Sequence, residues 1–407
     1  MLPYQQAREK VIEVVTARLA LRPALATEEA ELSAALGRVL AVEVRADRDY
    51  PPFNRSTRDG FAVRAADLAK LPATLEVVGE IKAGDAFTAQ VRPGQCVQIM
   101  TGAAVPPGTD SVVMIEHAKP SGTRVGFERP VERGQNVVPR GSEAKTGQLL
   151  LSPGALLGYP EVSALAQVGQ GVVRVYRKPR VAILSTGDEV VDVGAQPGPF
   201  QIRNSNSLTL AAQTTLAGAE PVVLGNAPDR VDEIRARIER GLAEDILVLS
   251  GGVSAGKYDY VGTVLRELGA EFVFDAVAIR PGRPAVFGVC RDNFVFGLPG
   301  NPVSTMVTFE LFVLPAIEML RGALPRPLTV FKAKLAEPVR QKTALTHFLP
   351  AEITWPGGEP TVRELPWQGS GDIVALLRAN CFLVVSPEHL EISAGDWVDV
   401  LPRRGAF

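Results

Sequence analysis

The chain reads as an α/β multidomain protein centred on a three-layer α/β domain with a mostly parallel sheet. Three observations predict this. Its 407 residues exceed what one typical hydrophobic core organises. Short apolar runs alternate with helical patterns over residues 178–320, at the spacing of βαβ units. The stretches on either side lack that alternation and carry textures of their own.

Residues 1–46 and 148–177 are assigned to one discontinuous, mainly helical linking domain. Ala7, Val11, Val14, Val15 and Leu19 recur at helical spacing, and Leu32, Ala35, Leu36, Val39 and Leu40 repeat the pattern. Two helices are therefore expected in the first forty residues. Residues 47–147 read as a β-rich inserted domain, with short runs at 75–78, 95–100, 111–115 and 124–127 broken by Gly and Pro. Residues 141–160 resemble a return connection leading to a short helix at 161–166.

Lys178-Pro179 opens the α/β domain, 178–326. Strands are expected at 181–184, 220–224, 246–249, 272–277, 285–289 and 293–296, and helices at 207–216, 230–242 and 260–268. Leu324-Pro325-Arg326-Pro327 is a linker. Residues 327–407 alternate like a small C-terminal β barrel, with strands at 329–335, 348–353, 361–365, 381–385 and 397–401.

A net charge of −2 and a pI near 6.1 leave no basic stripe for nucleic acid. Cys96, Cys290 and Cys381 lack CxxC spacing and fit a reducing cytosol, and His117, His347 and His389 are too dispersed for a zinc centre. The first residues lack a signal-peptide pattern and no apolar run approaches membrane length, so a cytoplasmic chain with no membrane partner is expected.

The richest segment is Phe296-Gly297-Leu298-Pro299-Gly300-Asn301-Pro302-Val303-Ser304. It reads as a strand, a tight loop and a helix start. Gly300 is expected to take a positive φ, and Pro302 suits the first helical position. Free amides at that helix start would hold an anion. Ser185-Thr186-Gly187-Asp188-Glu189 and Ser250-Gly251-Gly252-Val253-Ser254 are two more strand-to-turn segments. Three such loops suggest a nucleotide-like or oxyanion ligand at the strand ends.

Gly252-Val253-Ser254-Ala255-Gly256 also matches the nucleophile elbow of α/β-hydrolases, with Asp292 and His389 in permitted order. The preceding Gly-Gly and the distant module of His389 argue against a triad, and Gly251-Gly252 fits a backbone nest better. Glu189 and Asp259 each follow a strand end, which places both on one rim. There they suit Mg²⁺ beside a phosphate, or they complement helix dipoles, and spacing does not choose. Arg280-Pro281-Gly282-Arg283-Pro284 aims two guanidinium groups from one constrained turn toward an oxyanion. In the β module, Asp59-Gly60 also fits a hairpin turn, Thr101 a loop cap, and Arg140 with Glu143 a surface ion pair.

In order, PPFNRSTRDGFAV, IMTGAAVP, GQNVVPRGSE, ILSTGDEVV, LSGGVSAGKYDY, IRPGRPAVFG and GLPGNPVSTMVTFEL span residues 51–311. Together they resemble the molybdopterin molybdenumtransferases, the family that includes the C-terminal domain of gephyrin. The resemblance implies molybdenum insertion from molybdate into adenylylated molybdopterin, with AMP released and a divalent cation assisting. It implies that Thr186, Gly251, Gly252, Ser254, Pro299, Gly300, Asn301 and Pro302 line the substrate site and hold its phosphates. Glu189 and Asp259 would bind Mg²⁺, and Arg280 and Arg283 would attract molybdate. A homodimer is implied, with Asp59, Thr101, Arg140 and Glu143 acting across the interface, and Ser370 contributing from the C-terminal module. Protein partners implied are a molybdopterin adenylyltransferase and the recipient molybdoenzymes. The chain departs from the commoner pattern at Asn54, at Arg280 and Arg283 in place of lysines, at Gln368–Asp372 after the retained serine, and at Asn226-Ala227, where an acidic residue is expected. That last departure opens a second reading, a scaffolding paralogue with weakened catalysis. A third is an adenylyltransferase, which leaves the first and last modules unexplained.

Overall fold

The computed structural model describes residues 1–252 and 260–406. The six-stranded sheet at its centre runs in the spatial order Glu220–Ala227, Arg180–Thr186, Ile246–Ser250, Asn293–Leu298, Val286–Cys290, Ala270–Phe274. The first four strands are mutually parallel, and Val286–Cys290 runs against both of its neighbours. Every residue of Ile246–Ser250 is buried, as expected for a strand covered on both faces.

Alternation within the strands divides the core in two. Val181, Ile183, Ile246 and Val248 face the layer formed by helices Tyr4–Ala20, Ser205–Leu216 and Pro302–Leu320. Ala182, Leu184, Leu247 and Leu249 face helices Val231–Gly241 and Tyr260–Glu267. Period-two side-chain direction is therefore what makes the domain three-layered. Val231–Gly241 carries Asp232 and Glu233 in its first turn and Arg240 in its last, matching the helix dipole.

Pro302–Leu320 corrects one sequence expectation. At 19 residues and a mean hydropathy of 1.6 it is long and apolar enough to cross a membrane, yet 89% of that stretch is buried inside the protein. It is the central helix of the larger core, with a π-helical turn at Phe309–Val313.

The first forty residues contain one α-helix, Tyr4–Ala20, rather than two. Thr27–Glu31 is a strand, paired antiparallel with Val172–Tyr176, and Leu32–Ala34 is a single 3-10 turn. Leu32, Ala35 and Leu40 fill a small core with Leu157, Leu165 and Val175, while Leu36 is exposed. Long-range strand pairing outweighs the local helical period there. A short helix, Tyr159–Gln167, follows the return connection, starting at Gly158 with Glu161 accepting the Gly158 amide.

The β-rich module carries a six-stranded mixed sheet between Gly60 and Phe127. At the C-terminus, Phe331–Leu335, Thr346–Thr354, Thr361–Glu364, Cys381–Val385 and Trp397–Pro402 close into a five-stranded barrel through the Thr346–Thr354 pairing with Cys381–Val385. Ile279–Arg280 adds parallel to Thr346-His347 at the barrel edge and ties the barrel to the α/β domain. All three cysteines are buried and free, and burial pushes the Cys96 and Cys381 thiols up to about 12.

Leu247 sits fully buried in a central strand, so Leu247→Ala should destabilise the protein by about 2–5 kcal/mol through lost transfer energy and a residual cavity. Urea unfolding followed by circular dichroism checks this; a midpoint equal to that of the parent chain would contradict it.

Candidate functional site

The site follows from strand register. Ser185 lies opposite Ser250, and Ser250 opposite Leu298, so three adjacent parallel strands end level. Ligands of open α/β sheets bind beyond such carboxyl ends. Gly251 and Gly252 take φ values of 90° and 65°, which only glycine adopts without strain. A Cβ on Gly252 would lie 2.6 Å from Thr186 Oγ1, and that hydroxyl is buried without a hydrogen-bond partner among the described residues. The nest at Gly251-Gly252 and Thr186 are thus brought together as the sequence suggested.

Gly300 differs from expectation, since it is not among the glycines with positive φ. A Cβ there would lie 3.6 Å from Gly251 Cα, an ordinary van der Waals contact, so neither backbone nor space demands glycine. Pro302 does occupy the first turn of its helix, with Asn301 as N-cap. The helix start is not free, however. The Val303 amide donates to the Ser370 carbonyl at 3.0 Å, and Asn301 Nδ2 donates to Ser370 Oγ at 2.7 Å. The barrel loop therefore docks on this helix end. Thr305 Oγ1 holds the Pro299 carbonyl at 2.6 Å.

Asn206 escaped the sequence reading. Its Nδ2 donates to Ser250 Oγ at 2.8 Å and to the Gly300 carbonyl at 2.7 Å, clamping two of the loops together. The only signal was its place in Asn204-Ser205-Asn206-Ser207 at a helix start, where Asn204 caps the Ser207 amide.

Arg280 and Arg283, both exposed, line a cavity of about 760 Å³ with Pro299, Asn301, Ser304 and Ser370. Neither has a carboxylate partner among the described residues. Gly282 between them has φ 110°, and a Cβ there would lie 2.7 Å from Thr308 Cγ2, so this turn tolerates no side chain. His347, opposite Arg280 in the strand pairing, is pushed below the ordinary imidazole range by burial and secondarily by the Arg280 charge. Unpaired guanidinium groups in a cleft with hydroxyl and amide donors form an oxyanion receptor.

A carboxylate group stands at the opposite end of the rim, where Gly187 has φ 132° and Glu189 folds back over it. Asn226 is not a void in the site: its Nδ2 donates to the Gly187 and Val190 carbonyls, both at 2.9 Å, and so shapes the turn that carries Glu189. An acidic residue, Asp229, does stand two residues beyond Asn226-Ala227, on the same turn. Its amide donates to Asp188 Oδ1 at 3.0 Å. Burial, then the charges of Asp188 and Glu189, push the Asp229 carboxyl above its usual range. Asp259 and Ser254 lie outside the described residues. Among the described residues no three His, Cys, Asp or Glu form a ready metal cluster.

The β-module residues form a second group. Thr101 donates its amide at 2.6 Å and its hydroxyl at 2.8 Å to Asp59 Oδ1, and these bonds hold the Asp59 carboxyl below its usual range. Arg140 and Glu143 do not pair with each other. Arg140 pairs with Asp49 at 2.8 Å, while Arg55 pairs with Glu143 at 3.0 Å. Asn54 Oδ1 accepts the Arg140 amide. Among the described residues of this single chain, no hydrogen bond or ion pair joins this group to the α/β rim. Asp292 also stands apart, at the amino end of Asn293–Leu298, and His389 belongs to the barrel, so the hydrolase reading has no geometric support.

The fold defines a multidomain protein built around a three-layer α/β core, and comparisons with known proteins place it in a family. Residues 2–169 match the MoeA N-terminal region (domain I and II), 182–319 a probable molybdopterin binding domain, and 332–402 the MoeA C-terminal region (domain IV). The chain is 34% identical to the molybdopterin molybdenumtransferase of Bacillus subtilis, over 92% of this chain and 89% of that one. It is 31% identical to that of Staphylococcus aureus strain Mu50, over 98% and 95%. A solved molybdopterin biosynthesis MoeA protein from Pyrococcus horikoshii OT3 superposes with a TM-score of 0.80 at 29% identity, covering 99% of this chain and all of that one. The chain belongs to the molybdopterin molybdenumtransferase family. It is an enzyme of molybdenum cofactor synthesis that inserts molybdenum.

Two outcomes follow from this geometry. Because folding raises the Asp229 pKa, its ionisation opposes folding: the penalty is absent below the unfolded carboxylate range and grows as pH rises through it, reaching full size above the raised value. Asp229→Asn should therefore raise Tm at pH 7 and reduce the loss of stability between acid and neutral pH, as read by thermal melts across that range. Asn206→Ala should unclamp the Ser250 and Gly300 loops and raise substrate KM about tenfold or more, with a smaller change in Tm than in a core variant. Steady-state kinetics with parallel melts checks it.

Proposed function

We propose that the enzyme transfers molybdenum from molybdate to the dithiolene of adenylylated molybdopterin, releasing AMP and molybdenum cofactor. The observation that carries this reading is the cavity holding two guanidinium groups, Arg280 and Arg283, without carboxylate partners among the described residues, beside the Gly251-Gly252 turn. A tetrahedral oxyanion suits the first and a phosphate the second. Arg280, Arg283 and the Ser370 loop hold molybdate in this scheme, while Thr186, Gly251, Gly252, Pro299 and Asn301 seat the phosphates.

Mg²⁺ is the proposed cation, held by Glu189 with Asp259, which lies outside the described residues, and by substrate oxygens and water. The fit rests on the negative charge at this turn: Asp229, whose carboxyl is raised by burial and then by the charges of Asp188 and Glu189, lies near both, and a hard cation would offset that charge. Bound there, a cation supplies charge neutralisation at the phosphoanhydride. Glu189 orients the attacking water from the adjacent turn. Asp59, kept ionised by Thr101, contributes fixed negative charge rather than a proton.

The enzyme is proposed to work as a cytoplasmic homodimer. Each site would pair the rim of one subunit with Asp59, Thr101, Arg140 and Glu143 presented by the partner. A molybdopterin adenylyltransferase supplies the substrate in this reading, and apo-molybdoenzymes receive the product.

Substituting both Arg280 and Arg283 by Ala should weaken the molybdate dependence of AMP release by about a hundredfold or more, and Lys at both should restore part of it because charge returns without the planar fork. Unchanged molybdate dependence in the double Ala variant would sink the oxyanion assignment. The shared site has a separate test. Asp59→Ala and Glu189→Ala homodimers should each be nearly inactive. A mixed dimer then has one doubly damaged site and one intact site, so random co-assembly restores about a quarter of full activity. Mixed dimers that form without recovery would place both groups in one subunit's site.

A further inference from the structure

We propose that the pterin ring system of the substrate is received by an apolar cavity on the other side of the turn at residues 280–284, with Asp275 reading its 2-amino-4-oxo edge. This rests on molybdopterin being the substrate and adds where its heterocycle lies. The cavity has a volume of about 430 Å³, within the ~300–1,000 Å³ range of small-ligand sites. Val261 and Leu265 of the Tyr260–Glu267 helix form one wall, and Phe272, Pro284 and Val286 form another. Val286 lies opposite Gly297, so the cavity opens at the same level as the carboxyl ends of the parallel strands.

Three observations point to a flat heterocycle with a donor edge. The Arg266 guanidinium lies over the Phe272 ring, 5.3 Å from its centre, and both line the cavity, so two flat groups suited to stacking on a heterocycle stand in its wall. Asp275, also in the lining, is exposed and has neither a hydrogen-bond nor an ion-pair partner among the described residues. A pterin presents N3–H and the 2-amino group side by side, two parallel donors that one carboxylate accepts together. Finally, Arg283 lines both this cavity and the oxyanion cavity. A substrate with its ring against Phe272 and Asp275 therefore carries its dithiolene toward the arginine pair, where molybdate is held.

The probes are 6-hydroxymethylpterin and lumazine, the 2,4-dioxopteridine in which an acceptor replaces the 2-amino donor. Titration by pteridine fluorescence should show the parent protein binding the pterin about tenfold or more tightly than lumazine. Asp275→Asn should abolish that preference and raise substrate KM about tenfold while leaving the molybdate dependence of AMP release in place. Ala276→Trp should obstruct the cavity and weaken both probes together. Equal binding of the two pteridines by the parent protein, or an unchanged KM in Asp275→Asn, overturns the assignment. If Ala276→Trp fails to fold, the near-isosteric exposed Asp275→Asn decides alone. The titration needs no turnover, so discrimination without AMP release removes the proposed reaction and keeps the ring site, and AMP release without discrimination does the reverse.

Discussion

The level ending of three adjacent parallel strands is the constraint on which the rest of this molecule depends. Ser185 opposite Ser250, and Ser250 opposite Leu298, bring three loops to one rim. A one-residue slip in any of them would exchange the two faces of the sheet, moving Leu247 and Leu249 into the layer that now accepts Ile246 and Val248. The core and the site are therefore specified by the same register. Asn206 and Thr305 then lock the loops from the helices below, through bonds to the Ser250 hydroxyl and to the Gly300 and Pro299 carbonyls rather than apolar packing.

Charge is distributed along this rim in a way that a purely structural surface would not need. The guanidinium groups of Arg280 and Arg283 stand without carboxylate partners among the described residues, although the chain has ion pairs elsewhere, such as Arg180 with Glu244. At the other end Asp188, Glu189 and Asp229 lie near one another, and burial, then the charges of the other two, raises the Asp229 carboxyl. Like-signed clusters of opposite sign at two ends of one rim favour a ligand with both an anionic and a cation-bridged part. Asp59 contrasts with them, because two Thr101 donors already satisfy it. The barrel contributes by docking, through Ile279–Arg280 beside Thr346-His347 and Ser370 on the Val303 amide.

Much of the α/β domain was legible because its strands are continuous apolar runs and its helices are amphipathic, signals that survive in one dimension. The segment 32–40 was not, since its apolar spacing is helical but its preceding strand pairs with Val172–Tyr176, far along the chain. The site was legible where a loop residue has one evident chemistry, as with Arg280, Arg283 and the Gly251-Gly252 nest. It was misread where a role depends on a neighbour from another element. Asp229 was passed over for Asn226-Ala227 because only the folded turn sets its amide on Asp188. Gly300 was given a positive φ that the folded loop does not use.

By itself, then, the sequence determined the class of fold, the order of its elements and the family, because period, turn chemistry and motif order are local properties of the chain. Tertiary structure alone decided which groups are paired and which are left unpaired. It satisfied Asp59 with Thr101, spent the Val303 amide on Ser370, split Arg140 and Glu143 between different partners and, among the described residues, gave the two arginines no carboxylate. Hydrogen bonds and Coulomb interactions at the rim act over a few ångströms between residues far apart in the chain, so their outcome is set by the packing of strands, helices and barrel and not by spacing along the sequence.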